Sequence, residues 1–465
     1  MCEYRKEADS VGELLVPKHA YYGIQSLRAA ENFKITGLKM HPAMIRSIAE
    51  LKKASAIVNG RVGVIPQDIS KAIQDACDEV ISGKFDAEII TDPVQGGAGT
   101  SFNMNANEVI ANRAIELLGG EKGDYSIVHP NDHVNAGQST NDVYPSSGKI
   151  AIIRELIAAK EQMLSLYYAL KNKAKEFDGI IKMGRTEMQD AVPVRLGQSF
   201  DAYAAGIKRC IDRMDSAVDE MRVLNMGGTA IGTGLNADER YIEQIVPECA
   251  KVTGLALKQA ENLIDATQNS DGFVHVSGIL KSAASTISKL ANDLRLLSSG
   301  PRTGFGEINL PARQNGSSIM PGKVNPVIAE VTNEIAFAVI GYDTTVTMAA
   351  EAGQLELNAF EPIIFHSLLQ SINMLGRGCD ALAHECIEGI TANEERCISL
   401  VESSVGIITA LCPYIGYTKA ASLAKQAMKE KISVREIVLR EKVLSEEELE
   451  RILNPYAMTQ VKKLD

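Results

Sequence analysis

The chain has 465 residues, 45% of them apolar, with 48 Lys+Arg against 59 Asp+Glu for a net charge of −11. That length can bury a large core, and the acidic balance excludes a general nucleic-acid coat or an anionic membrane surface as partner, since both need basic faces. Aromatics are only 5% and Trp is missing, so the core must be Leu, Ile, Val, Ala and Met, which favours helices over an aromatic-rich sandwich.

The opening segment MCEYRKEADS is charged from its third residue and offers no apolar leader region. No run reaches the ~18 apolar residues of a membrane helix. A cytoplasmic protein is expected. The eight cysteines, Cys2, Cys77, Cys210, Cys249, Cys379, Cys386, Cys397 and Cys412, form no CxxC pair and sit mostly in apolar-periodic stretches, as reduced core thiols do.

Residues 1–140 read as a mixed, mostly helical domain whose short patterns are broken by Gly and Pro. Within it, residues 95–109 (QGGAGTSFNMNANEV) place Thr100, Ser101 and Asn103 at a helix start, behind glycines that let the backbone turn tightly. Free N–H groups there make an anion site, although an ordinary capped helix has the same pattern. Residues 129–145 (HPNDHVNAGQSTNDVYP) carry Ser139, Thr140 and Asn141 as three donors before a helix expected from about Ser146, with Asp142 and Pro145 as start signals. His129 and His133 have the spacing of a helical metal pair. Pro130 argues against a helix there and no third ligand follows at suitable spacing, so no metal is expected.

From residue 141 to 396 the pattern is a bundle of long helices, each near 25–30 residues. Phe200, Ala204, Ile207, Ile211, Met214, Val218 and Met221 form one seam at spacings of 4 and 3. Ile279, Ala284, Ile287, Leu290, Ala291 and Leu294 form a second, and Ile328, Val331, Ile335, Ala338, Tyr342 and Thr345 a third. Apolar residues on more than one face predict a homo-oligomer. Residues 183–198 read as an interhelix loop carrying Thr186, Glu187, Gln189 and Asp190. Residues 314–331 (QNGSSIMPGKVNPVIAEV) form a loop in which Gly316 and Gly322 flank Ser317 and Ser318, followed by Lys323 and Asn325 before a helix. It fails the GxxxxGK[ST] phosphate loop at Ser317 and at Val324. Residues 397–465 read as a small, charge-rich helical domain.

Together these segments offer neutral donors and one Lys, with no metal set, nucleotide fingerprint or GxSxG motif. That inventory suits a small dianion and suits stabilising extra negative charge on a carboxylate while the adjacent carbon loses a proton. A serine can be the base only if its alkoxide is stabilised, for which Lys323, loop N–H groups and exclusion of water are the means.

The run from Ser317 to Pro326, SSIMPGKVNP, resembles the signature loop of the fumarase/aspartase superfamily. Residues 21–37, GAGTSFNMNANEV, NDHVNAGQSTND, residues 227–236 and residues 353–364 extend the resemblance over essentially the whole chain. Ser101-Phe102 and Glu361-Pro362 differ from the usual fumarase residues and favour the amine-eliminating branch. The resemblance implies a mainly α fold with a 20-helix core in a D2-type homotetramer, smaller N- and C-terminal domains, sites shared by three subunits, and no cofactor. It implies reversible loss of ammonia from L-aspartate to give fumarate, with a class II fumarase (fumarate/L-malate) as the alternative. A non-catalytic dicarboxylate-binding helical oligomer is the alternative of another class. By motif position Ser317 would remove the Cβ proton. Thr100, Ser139, Thr140 and Ser318 would hold the β-carboxylate; Thr186, Lys323 and Asn325 would hold the α-carboxylate; Asn141 would lie near the amine. Glu187 stands where many relatives have His, to pair with the substrate ammonium or with a nearby Arg.

Overall fold

In the computed structural model, which describes residues 3–460, the chain is 63% helical, and among the described residues strands occur only in two-stranded pairs. An antiparallel hairpin, β1 (Tyr4–Asp9) and β2 (Gly12–Pro17), precedes α1 (Ile24–Asn32), α2 (Pro42–Val62), α3 (Gln67–Ile81) and α4 (Thr100–Leu117). Helix α4 is buried nearly all round, and its interior includes Asn103, Asn105, Asn107, Glu108 and Asn112. Buried polar groups need partners, and several tie loops to the helix. Asn105 Oδ1 accepts from Ile90 N, Asn112 Nδ2 donates to the Tyr21 carbonyl, and Glu108 accepts the N–H groups of Gly23, Gln25 and Ser26.

Five long helices follow: α5 (Thr140–Glu176), α6 (Leu196–Met221), then, after the shorter α7 (Glu239–Thr253) and α8 (Leu263–Gln268), α9 (Asp271–Leu297), α10 (Val327–Glu351) and α11 (Glu361–Glu385). The chain divides into two units, residues 1–160, 212–284 and 337–376 in the first and 161–211, 285–336 and 377–465 in the second. In the first, Phe365 of α11 packs against Tyr144 of α5 and Phe273 of α9 at centroid distances of 5.3 and 5.0 Å. In the second, Tyr203 of α6 donates to Asp293 of α9, and Asn333 of α10 bonds Ser288 and Asn292 of α9.

The α6 seam is buried from Phe200 to Met221 as expected, and so is the second seam apart from its half-exposed first residue, Ile279. The third is displaced. On α10 the buried stripe is Ala329, Ala336, Val339, Val346 and Ala349, while Val331 is exposed and Phe337 and Met348 are 65% and 64% exposed. This helix is apolar on several sides, so periodicity alone does not select which side the same chain covers. Helix α5 also begins at Thr140 rather than near Ser146, with Pro145 inside it. A proline there removes the N–H that would bond the Asn141 carbonyl; Asn225 Nδ2 supplies that bond instead, at 2.9 Å.

The C-terminal helices, α12 (Glu394–Ser403), α13 (Cys412–Ile415), α14 (Tyr417–Glu430), α15 (Val434–Arg440) and α16 (Glu446–Ile452), enclose a small core that includes Val401, Leu411, Leu423, Ile437 and Leu449. No single helix among the described residues is long and apolar enough to cross a membrane. Six of the seven described cysteines are buried thiols and Cys412 is half-buried; Cys2 lies outside the described residues.

Glu361, at the start of α11, is 3% exposed and its Oε2 has no hydrogen-bond partner. Burial pushes its carboxyl up to about 8, which the charge of Lys149 offsets only in part. The folded state therefore keeps a proton that the unfolded chain loses near pH ~4.3. The group costs increasing stability as pH rises from there to about 8, then no more. Glu361→Gln is expected to stabilise the protein at pH 8 by on the order of 1–3 kcal/mol and to have little effect at pH 5. Urea denaturation at the two pH values checks this, and a pH-independent effect would contradict it.

Candidate active site

In the first unit, the start of α4 and the start of α5 come together. Gly99, at φ +89, takes the left-handed conformation before Thr100, and a Cβ there would lie 2.4 Å from the Tyr144 ring. Thr100 is exposed and is the first residue of α4, with Gly99 in the cap position, so it is not the helix cap. It lines a cleft of about 480 Å³ with Ser101, Met104, Tyr125 and Asn131. One turn after Thr100, Asn103 Nδ2 donates to Thr140 Oγ1 at 3.0 Å. Ser139 Oγ accepts from Asn141 N, and Asn141 Nδ2 donates to the Ala230 carbonyl at 2.7 Å. The 227–236 segment is thereby held beside the three donors.

The buried Asp142 organises this corner. Its carboxylate accepts the N–H groups of Ser139, Gly227 and Thr229 at 2.9, 3.2 and 3.0 Å. Burial pushes it up to about 6, against the opposing pull of those N–H bonds and of Lys52. Sequence reading took Asp142 for an ordinary start signal and missed Lys52, Asn103's bond to Thr140, and Asn225. The Asn run of α4 was the available signal, since amides at successive interior positions must be bonded to something.

In the second unit, residues 183–198 are not an open loop. Strands β3 (Ile181–Thr186) and β4 (Gln189–Arg195) form a hairpin whose two-residue turn is Glu187-Met188, at φ +52 and +64. Both positive φ values match a type I′ turn, which favours Asn-Gly; two bulky residues there store strain, as functional loops do. Thr186 and Glu187 are exposed at the tip, and Glu187 enters no ion pair among the described residues. Beneath them Arg185 donates to both oxygens of the fully buried Glu307 at 2.9 and 3.0 Å and stacks 4.2 Å from the Phe305 ring. Lys182 Nζ lies 3.5 Å from the same carboxylate, and burial pushes its pKa down.

The 314–326 loop also belongs to the second unit. Its neck is closed by Gly316 N bonding the Lys323 carbonyl at 2.9 Å and by Asn325 Nδ2 bonding the Gly316 carbonyl at 2.8 Å. A Cβ on Gly316 would lie 2.5 Å from that Lys323 oxygen, so only Gly fits. Inside the loop, Ser317 Oγ accepts from Ile319 N and Met320 N at 3.2 and 3.0 Å. Ser318 and Lys323 are exposed, and Lys323 and Asn325 line a cleft of about 730 Å³ with Arg295 and Ser298.

His129 and His133 each turn Nδ1 toward backbone N–H groups of their own turn. Despite Pro130 a short π-helix runs over Pro130–Val134, because a proline at a first helical position loses nothing. His129 Nδ1 accepts from Asn131 N and Asp132 N, and His133 Nδ1 accepts from His129 N. Among the described residues no group of three His, Cys, Asp or Glu could hold a metal ion.

The helical fold and the serine loop define a lyase of the fumarase/aspartase superfamily, and the chain belongs to that family. The family model described as Lyase matches residues 12–341, and that for the fumarase C C-terminus matches residues 407–460. The aspartate ammonia-lyase of Bacillus subtilis (strain 168) is 52% identical over 457 residues, covering 98% of this chain and 96% of its own. That of Helicobacter pylori (strain J99) is 52% identical over 98% and 97%. The crystal structure of a fumarate lyase:delta crystallin from Brucella melitensis bound to cobalt gives a TM-score of 0.96 at 48% identity, covering 99% and 100%. A class II fumarase from Schistosoma mansoni gives 0.95 at 36% identity, covering 98% and 99%.

Proposed function

We propose that the protein is a carbon–nitrogen lyase that reversibly removes ammonia from L-aspartate to give fumarate. The observation that carries this is the Ser317 loop, where two backbone N–H groups already point at Oγ and would stabilise its alkoxide. Ser317 takes the Cβ proton, and the electron pair passes into the β-carboxylate as an enediolate-like dianion. The C–N bond then breaks, the double bond forms, and ammonia leaves. Thr100, Ser139, Thr140 and Ser318 hold the β-carboxylate. Thr186, Lys323 and Asn325 hold the α-carboxylate. Asn141 and Glu187 face the amine, a reading favoured by Glu187's exposure at a strained tip without an Arg partner.

The active unit is a homotetramer, and the exposed apolar side of α10, with Phe337 and Met348, is the surface that sister chains cover. Each site draws the first-unit donors from one chain and the hairpin and serine loop from two others. Residues 1–140, 141–396 and 397–465 are the functional regions of this reading, and the protein acts in the cytoplasm.

Glu187→Gln tests the amine reading. The KM for L-aspartate is expected to rise about tenfold, since a charge-assisted contact worth about 1.4 kcal/mol is lost. Inhibition by succinate, which has no amine, should not change. An unchanged KM removes Glu187 from the amine site.

A further inference from the structure

Lys52, in α2, is completely buried, and burial pushes its pKa down to about 7 while the charge of Asp142 opposes that shift. It lies outside the proposed machinery, yet its ammonium donates to Asn135 Oδ1 at 2.8 Å and to Gln138 Oε1 at 2.9 Å. While its own Nδ2 donates to the Gln138 carbonyl at 3.1 Å, Asn135 turns its oxygen toward Lys52. That oxygen also receives Asn103 Nδ2 at 3.3 Å and Asn107 Nδ2 at 3.2 Å. Asn103 is thereby obliged to present its NH₂ end, and the same nitrogen donates to Thr140 Oγ1. Consistent with an imposed orientation, the carbonyl oxygens of Asn103 and Asn107 are buried without partners. Flipping Asn103 would offer its oxygen to the Thr140 hydroxyl and satisfy it.

We propose that Lys52 is a positioning residue that fixes the direction of this hydrogen-bond chain, so that Thr140 accepts from Asn103 and its single hydroxyl hydrogen is left to donate to an anionic ligand. The chain runs Lys52 to Asn135, with Asn103 donating both to Asn135 and to Thr140. Reversing Asn103 would turn Thr140's hydrogen inward and present a lone pair to the substrate carboxylate. This inference rests on the reading of Thr140 as a carboxylate donor.

The test compares Lys52→Met, Lys52→Arg, Asn103→Asp and Thr140→Ala, singly and with Thr140→Ala added, by kcat and KM for L-aspartate. Asn103→Asp has the shape of the native residue but accepts where Asn103 donates, so it turns the Thr140 hydrogen inward without touching Lys52, should Lys52→Met fail to fold. Thr140→Ala is expected to lower kcat by ~10²-fold, the scale of a lost oxyanion donor. Asn103→Asp and Lys52→Met should each lose about as much, and adding Thr140→Ala should cost little further; Lys52→Arg should recover most of the activity. A merely structural lysine would give losses that multiply. Multiplying losses, or an Asn103→Asp enzyme within twofold of wild type, overturn the proposal while leaving the reaction intact. A fully active Thr140→Ala enzyme overturns the proposal together with the carboxylate reading beneath it.

Discussion

Ser317→Ala is expected to lower kcat for L-aspartate by about 10³–10⁴-fold, near the upper end of what a positioned base contributes, while KM and the denaturation midpoint stay close to wild type. The Cβ proton next to a carboxylate is only weakly acidic, so a base must be paired with stabilisation of the carbanion. A free serine hydroxyl is a poor base, but N–H groups from Ile319 and Met320 converge on Ser317 Oγ, and Lys323 sits on the same loop. The neck bonds of the loop use Gly316, Lys323 and Asn325 and do not involve the Ser317 hydroxyl. Removing one oxygen therefore deletes the chemistry and leaves the loop closed. Steady-state rates with circular dichroism as the folding control decide the matter. A variant within tenfold of wild type would place the base elsewhere.

The largest stability effect is expected at Glu307. Its side chain has no exposed surface, and it is the counter-charge for Arg185 and Lys182, themselves 13% and 7% exposed. Breaking a buried ionic cluster by removing one partner leaves uncompensated charge and typically costs about 3–5 kcal/mol. Glu307→Gln keeps the shape, so packing loss does not confuse the result. Two cations then face a neutral amide. The hairpin should loosen as well, raising KM through Thr186 and Glu187 at its tip. Urea denaturation measures the first effect and initial rates the second. A loss under 1 kcal/mol would mean that water or another group neutralises the pair.

What was legible in the sequence depended on how local the cause was. The α6 seam could be read because its apolar residues lie on one side, and α10 could not because its several apolar sides make periodicity ambiguous. The start of α5 was misplaced by Pro145, whose missing bond is replaced by Asn225, a residue 80 positions away from it in the chain. The hairpin tip looked like a polar loop because Glu187-Met188 lacks the Asn-Gly signature that its turn prefers. The serine loop was visible from Gly316 and Gly322 together with its motif. Lys52 and Glu307 were not, and Asn103 and Asp142 were visible only as a helix-start donor and a start signal, because buried polar groups acquire meaning only through partners that the fold supplies.

The most direct test is to give the purified protein L-aspartate and L-malate in parallel, following fumarate by its ultraviolet absorbance and ammonia by a coupled assay. Fumarate and ammonia should appear in equal amounts from L-aspartate, with no fumarate from L-malate. Fumarate from L-malate without turnover of L-aspartate would make the protein a fumarase, and no product from either would leave only a binding protein; each result contradicts the account.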